Sequence, residues 1–208
     1  MKTTRRQFMQ TTGAGLAASA LSSQANQQPP NILFLFSDQH RAMDLHCMGN
    51  KALITPNIDL LAREGMLFSN AIANCPLCTP SRATILTGKY PIGHRCISND
   101  LPLPTDQETI ATVLSKRGYK TGYIGKWHLD GISRHKFTPP GPRRHGFNDY
   151  WAAYNCNHNY FQTRYYLDTP ERIDRNGYEP DIQTGLAIDF LHQYSSSPFF
   201  LTISYGPP

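Results

Sequence analysis

Six side chains in this sequence have types and spacings suited to chemistry on an anionic substrate. Cys78 opens the segment Cys78-Thr79-Pro80-Ser81-Arg82. Pro80 to Thr87 reads as a helix, with Thr79 as N-cap, Pro80 in the first turn and Gly88 just past the end. Cys78 then sits at a helix N-terminus, where backbone N–H donors and the positive end of the dipole favour an anion. Arg82 follows four residues later, about one turn on, where a guanidinium can hold an anion beside the thiol. Lys126 and His128 stand two apart in Gly125-Lys126-Trp127-His128-Leu129, on one face if the segment is a strand. A lysine brings positive charge, and a histidine, with its near-neutral pKa, can give or take a proton near neutral pH. Asp38, at the end of an apolar run, offers a carboxylate to a hard divalent cation such as calcium, and Gln39 beside it offers an uncharged carboxamide oxygen.

Each of these has an ordinary alternative. Cys78 forms a CxxC with Cys75, the spacing of a redox pair or half a zinc site, although no second CxxC exists to complete a zinc ribbon. A Lys-x-His pair also occurs at solvated strand ends, and an aspartate after a strand is a common turn former. Trp127, pointing away from its neighbours, belongs in the core. The run from Tyr150 to Tyr160 is rich in aromatic rings and amides that suit sugar or aryl recognition, with His158 as a candidate contact. Arg143, Arg144 and His145 would either meet a polyanion or form a solvated loop.

These residues need a scaffold that brings them together. Asn31 to Ser37 reads as a strand buried on both faces of a parallel sheet. Pro56 to Gly65 reads as a helix, with a short strand over Met66 to Ala71 after it. Asp106 to Arg117 reads as a helix with Asp106 near its N-cap, followed by a strand over Tyr119 to Gly125. Arg134 to Pro180 has no sustained period and is expected to form long loops with one short hairpin. Asp181 to Tyr194 returns to helical spacing, and Pro198 to Ser204 is a last strand. Strands alternating with helices predict an α/β fold, a three-layer sandwich on a mostly parallel sheet.

The segment Cys78 to Gly88, CxPxR followed by Thr-Gly, resembles the signature of the type I, formylglycine-dependent sulfatases of the alkaline-phosphatase-like superfamily. The Gly125 to Leu129 segment resembles a second motif of that family. The resemblance runs from Asn31 to the last residue. It implies that Cys78 is oxidised by a formylglycine-generating enzyme to an aldehyde, whose hydrate offers one hydroxyl to attack sulfur and another to expel sulfate. It further implies catalytic roles for Cys78, Arg82, Lys126 and His128 and a divalent metal, most naturally Ca2+, held by Asp38, Gln39 and the Cys78 position. Lys126, His128 and His158 would contact a sulfated small molecule or carbohydrate. Where many members have two adjacent aspartates this chain has Asp38-Gln39, which leaves open a phosphonate or phosphodiester hydrolase of the same superfamily. An unmodified Cys78 would instead suit a non-catalytic binding protein. The family pattern also calls for a later histidine, a further lysine and additional metal ligands that these 208 residues do not contain. The chain is therefore expected to be a truncated, N-terminal part of the catalytic domain, spanning 28–208, with little or no activity alone.

The first residues carry Thr4-Arg5-Arg6-Gln7-Phe8-Met9 and then a weakly apolar run, the pattern of a twin-arginine signal over 1–27. This predicts passage through the Tat translocase to the periplasm or outside the cell, with Cys78 modified before export. Lys2, Arg5 and Arg6 carry three of the five net positive charges, so the mature chain sits near +2. That balance gives no support to a nucleic-acid surface. No later run is long enough to span a bilayer, and no GxGxxG or phosphate loop calls for a nucleotide.

Overall fold

The computed structural model describes residues 29–207; the signal segment expected over 1–27 lies outside them. Four parallel strands form the central sheet: β1 (Ile32–Ser37), β2 (Lys120–Lys126), β3 (Tyr150–Tyr154) and β6 (Phe199–Tyr205), in the order β1-β6-β2-β3. Helices α1 (Pro56–Glu64), α2 (Cys78–Thr87), α3 (Pro91–His94) and α4 (Ile110–Lys116) precede β2, and α5 (Glu179–Tyr194) precedes β6. Strands β4 (Gln162–Tyr165) and β5 (Ile173–Asn176) form a separate antiparallel hairpin.

Period-two alternation divides the sheet's side chains between two cores. Tyr123, Trp151, Ala153 and Phe200 pack with Ala83, Leu86 and Ala111 of α2 and α4 on one face. Ile124, Ala152, Phe199, Leu201 and Ile203 pack with Ala187 and Phe190 of α5 on the other. This is the three-layer α/β arrangement that the alternating elements predict.

Several local expectations are corrected. β1 is not buried on both faces: Ile32 and Phe34 pack against the α2 side, whereas Leu33 and Leu35 are half exposed, because α5 covers the strands beside β1 and not β1 itself. Residues 66–71 form turn and irregular chain, with Met66 and Phe68 largely exposed, and not a strand. The helix expected from Asp106 starts at Ile110. Thr109 is its N-cap, in a capping box with Thr112, and Asp106 pairs instead with Arg95 at the surface. The region 134–180 contains the expected hairpin, but also β3, a core strand that the aromatic and amide composition disguised. Arg144 and His145 are buried rather than solvated: Arg144 stacks on Trp151, 4.7 Å from the ring centroid, and pairs with Asp168, while Arg143 pairs with Asp130 at 2.6 Å.

Gly125, near the end of β2, has φ +99°, and a Cβ there would stand 2.1 Å from the Ser204 carbonyl oxygen and 2.8 Å from the Gln183 amide nitrogen. Neither a side chain nor a shift of β6 is accommodated cheaply at this crossing. Gly125→Ala is expected to destabilise the full-length protein by about 2–4 kcal/mol, read as a lower denaturant midpoint; an unchanged midpoint would contradict this packing.

Candidate active site

The carboxyl ends of the parallel strands carry the reactive groups, as open α/β sheets generally do. Asp38 follows β1 and lies between two cations. Its Oδ1 accepts from Arg82 Nη2 at 2.7 Å, and its Oδ2 accepts from Lys126 Nζ at 2.6 Å. Burial by itself would raise the Asp38 carboxyl, but Arg82 and then Lys126 outweigh it and hold the group below its ordinary range. Arg82 Nη1 also donates to the Lys126 carbonyl and to Ser204 Oγ, both at 2.6 Å. One guanidinium thus ties together the ends of β1, β2 and β6, and its face lies 5.1 Å from the Phe36 centroid.

Cys78 is the first residue of α2, which begins two residues earlier than expected, with Leu77 as N-cap. Its Sγ lies 3.5 Å from Lys126 Nζ and 3.9 Å from Asp38 Oδ2. The row of free N–H donors expected at this helix start is largely used: Thr79 N–H donates to Asn99 Oδ1 at 3.0 Å, Pro80 has none, and Ser81 N–H bonds Leu77 O at 2.9 Å. The field felt at Cys78 is therefore that of the dipole and of Lys126. The thiol is partly exposed and opens on a cleft of about 500 Å³ lined by Phe36, Asp38, Gln39, Ser81, Arg82 and Asn99 among others, so it is reachable for oxidation, and an aldehyde in its place would face the cleft.

His128 is not on the strand. β2 ends at Lys126, and although Trp127 and His128 continue to donate to Tyr154 O and Asn155 O, His128 turns at φ +50°. The strand alternation invoked for Lys126 and His128 therefore does not extend to His128. The Nε2 of His128 lies 2.8 Å from Asp100 Oδ1. Burial, ahead of the opposing Asp100 hydrogen bond and of nearby Lys126 and Arg82, keeps its imidazole below the usual pKa. Trp127 is fully buried, as expected.

His158 is exposed, with Nε2 3.6 Å from the buried Cys156 sulfur; partial burial and then the Lys126 charge lower its pKa. No disulfide joins Cys75 to Cys78: Cys47, Cys75, Cys78, Cys96 and Cys156 are all free. Sequence reasoning missed Ser204, Asp100 and Glu179. Glu179 is fully buried, accepts from Tyr154 Oη and from Gln183 Nε2 (2.9 Å for the latter), and is pushed up to about 7 by burial. A glutamate next to Pro180 at a predicted helix start was the available signal, but it reads as surface.

The metal set does not close. Among the described residues no three His, Cys, Asp or Glu side chains come together to hold an ion. Both Asp38 oxygens are engaged by cations, and Gln39 is exposed. Asp38, Gln39 and Cys78 therefore do not by themselves fit a divalent cation, which takes six or more oxygens when it is calcium.

The family model described as Sulfatase matches residues 30–208. The chain belongs to the sulfatase family. It is 41% identical over 182 residues to an ulvan-active sulfatase of Formosa agariphila, an alignment covering 86% of this chain and 35% of that protein. Among solved structures, yidJ of Bacteroides fragilis, described as a sulfatase, superposes with a TM-score of 0.82 at 32% identity, over 88% of this chain and 45% of that one. A further structure, solved in complex with its substrate D-glucosamine-2-N,6-O-disulfate, superposes with a TM-score of 0.72 at 33% identity, over 85% and 34% of the two chains. The chain thus spans about a third of the length of the Formosa relative. Family membership implies a divalent metal and a formylglycine, together with the alkaline-phosphatase-like fold.

Removing the Asp38 charge leaves Arg82 and Lys126 buried and unpaired. Asp38→Asn is expected to cost the full-length protein about 3 kcal/mol at neutral pH. Because the folded carboxyl titrates below its unfolded value, that difference is complete above about pH 4 and closes as the pH falls through the depressed value. Urea unfolding of both proteins across pH 7 to 3 measures it; a gap that stays constant with pH would show that the carboxylate charge is not its source.

Proposed function

We propose that the complete protein hydrolyses sulfate esters of carbohydrates, with a formylglycine made from Cys78 as its nucleophile. The observation that carries this is the placement of Cys78 at the first turn of α2, within 3.5 Å of Lys126 Nζ, inside a CxPxR segment of a chain that matches the Sulfatase family over 30–208. The formylglycine supplies a hydrated aldehyde, with one hydroxyl for attack on sulfur and a second whose ionisation expels sulfate.

The chain's own residues then have separate tasks. Lys126, fully buried and paired with Asp38, brings fixed positive charge to the anion that enters the cleft. Arg82 donates from Nη1 and Nη2 to Asp38, Lys126 O and Ser204, which holds that charge in place, and its side chain also lines the cleft that the anion would enter. Among the described residues His128 Nδ1 is buried and has no partner, which suits it to accept a hydrogen bond from a reacting hydroxyl. His158 would contact the sugar from the rim. The metal would be calcium, with Asp38 as one carboxylate and Gln39 as a neutral oxygen, the rest of its shell coming from outside residues 29–207.

Two relatives support a carbohydrate ester: one is described as ulvan-active and the other was solved with a glucosamine disulfate. Residues 1–27 would direct the protein through the Tat translocase to the periplasm or beyond, after a formylglycine-generating enzyme has acted on Cys78. Among the described residues no helix is long and apolar enough to cross a membrane.

Mass spectrometry of the protein from its own host, on the tryptic peptide Glu64–Arg82, is expected to show an aldehyde at residue 78. The full-length protein is expected to release sulfate from an aryl sulfate, and Cys78→Ala and Lys126→Ala to lose at least about 100-fold in kcat/KM. A plain thiol at residue 78 in active protein would remove the formylglycine from the mechanism, and aryl phosphonate turnover exceeding aryl sulfate turnover would transfer the assignment to the phosphonate hydrolases.

A further inference from the structure

Two residues other than glycine that contact Thr79 adopt left-handed backbone, Asp100 at φ +64° and His128 at φ +50°. Such conformations are disfavoured for residues with a Cβ and persist where surrounding contacts determine them. Here Thr79, next to Cys78, supplies those contacts. Its hydroxyl donates to the His128 carbonyl at 2.9 Å and accepts from the Asp100 N–H at 3.2 Å, while its own N–H donates to Asn99 Oδ1 at 3.0 Å. The start of α2 thereby fixes both loops, and the outcome is the 2.8 Å contact between His128 Nε2 and Asp100 Oδ1.

A carboxylate oxygen can only accept, so the proton of this bond belongs to Nε2. His128 is buried and has Lys126 and Arg82 as positive neighbours, conditions that favour the neutral ring. In a neutral imidazole with Nε2–H, Nδ1 is a bare acceptor, and this is the His128 atom that is buried without a partner. Leaving a buried acceptor unpaired is costly, and a reacting hydroxyl would supply the partner that this one lacks among the described residues.

We propose that Asp100 is a positioning residue for the reaction: it fixes His128 as the Nε2–H tautomer and so keeps Nδ1 as an acceptor for the reacting hydroxyl. The proposal rests on the sulfatase reading for what His128 does, but not for its tautomer. Asp100 comes from the segment between α3 and α4, which no motif in the sequence marks, and its side chain remains 30% exposed.

The test uses full-length protein labelled with 15N in histidine, at about pH 8 so that the imidazole, ordinarily titrating near 6.5, is neutral. The His128 signals are identified by their loss in His128→Asn. Two substitutions suit the left-handed backbone at this position: Asp100→Gly, which removes the acceptor, and Asp100→Asn, whose amide oxygen still accepts but carries no charge. Wild type and Asp100→Asn are expected to show Nε2 protonated and Nδ1 bare, and Asp100→Gly a mixture of tautomers. In parallel, kcat for an aryl sulfate is expected to fall about 100-fold in Asp100→Gly and about 10-fold in Asp100→Asn, with KM changed less than about 3-fold. A proton on Nδ1 in the wild type, or an unchanged tautomer and kcat in Asp100→Gly, overturns the proposal. If wild-type protein carries no aldehyde and turns over no sulfate ester, it is the sulfatase reading that fails, and the tautomer comparison still decides the role of Asp100.

Discussion

The carboxylate of Asp38, shared between the guanidinium of Arg82 and the ammonium of Lys126, is the contact on which the site depends. Neither cation reaches water: Arg82 is 3% exposed and Lys126 not at all. An isolated buried cation costs several kcal/mol, so each needs a partner of opposite charge and hydrogen bonds for its remaining protons. Asp38 supplies the charge to both, and the Lys126 carbonyl and Ser204 hydroxyl accept from Arg82 Nη1, while among the described residues its Nε has no partner. The pair is an uneven one, two positive groups to one negative, and the surplus lies beside Cys78.

Topology makes this convergence possible. In a parallel sheet every strand delivers its last residue to the same edge, so Asp38, Lys126 and Ser204, though far apart in sequence, arrive together from β1, β2 and β6. α2 packs across one face with Ala83 and Leu86 in the core and turns its N-terminus toward that edge. Gly125 lets β2 and β6 close tightly enough for the Arg82 bonds to span both, since any side chain there would collide with the Ser204 carbonyl.

Much of this was legible in the sequence where physics is local. Apolar runs marked β1, β2 and β6, Pro56 and Gly65 bounded α1, and the CxPxR and GKWH segments identified the residues that meet. What the sequence did not disclose depends on long-range packing. β3 was hidden because the five residues from Tyr150 to Tyr154 lie inside a long run of aromatic and amide residues without a sustained period, and the two cores that bury them form only in the fold. The His128 turn was hidden because left-handed backbone at a histidine is imposed from outside, by Thr79 and Asn155. One-turn spacing from Cys78 gives the proximity of Arg82 but not the contacts of its Nη donors, which reach Asp38, the Lys126 carbonyl and Ser204. Asp100 lies in a stretch with no periodicity or motif, so only the fold brings it to His128.

The burial pattern along Cys78 to Ala83 bears on the order of events in the life of the chain. Thr79, Pro80, Arg82 and Ala83 are buried, while Cys78 and Ser81 keep partial exposure. Once α2 has docked, an outside catalyst meets a thiol and a serine in a cleft and can no longer read the proline or the arginine by their side chains. Any machinery that recognises the pentapeptide by those side chains must therefore engage it while the helix is still undocked, so the helix's own packing sets a deadline for recognition.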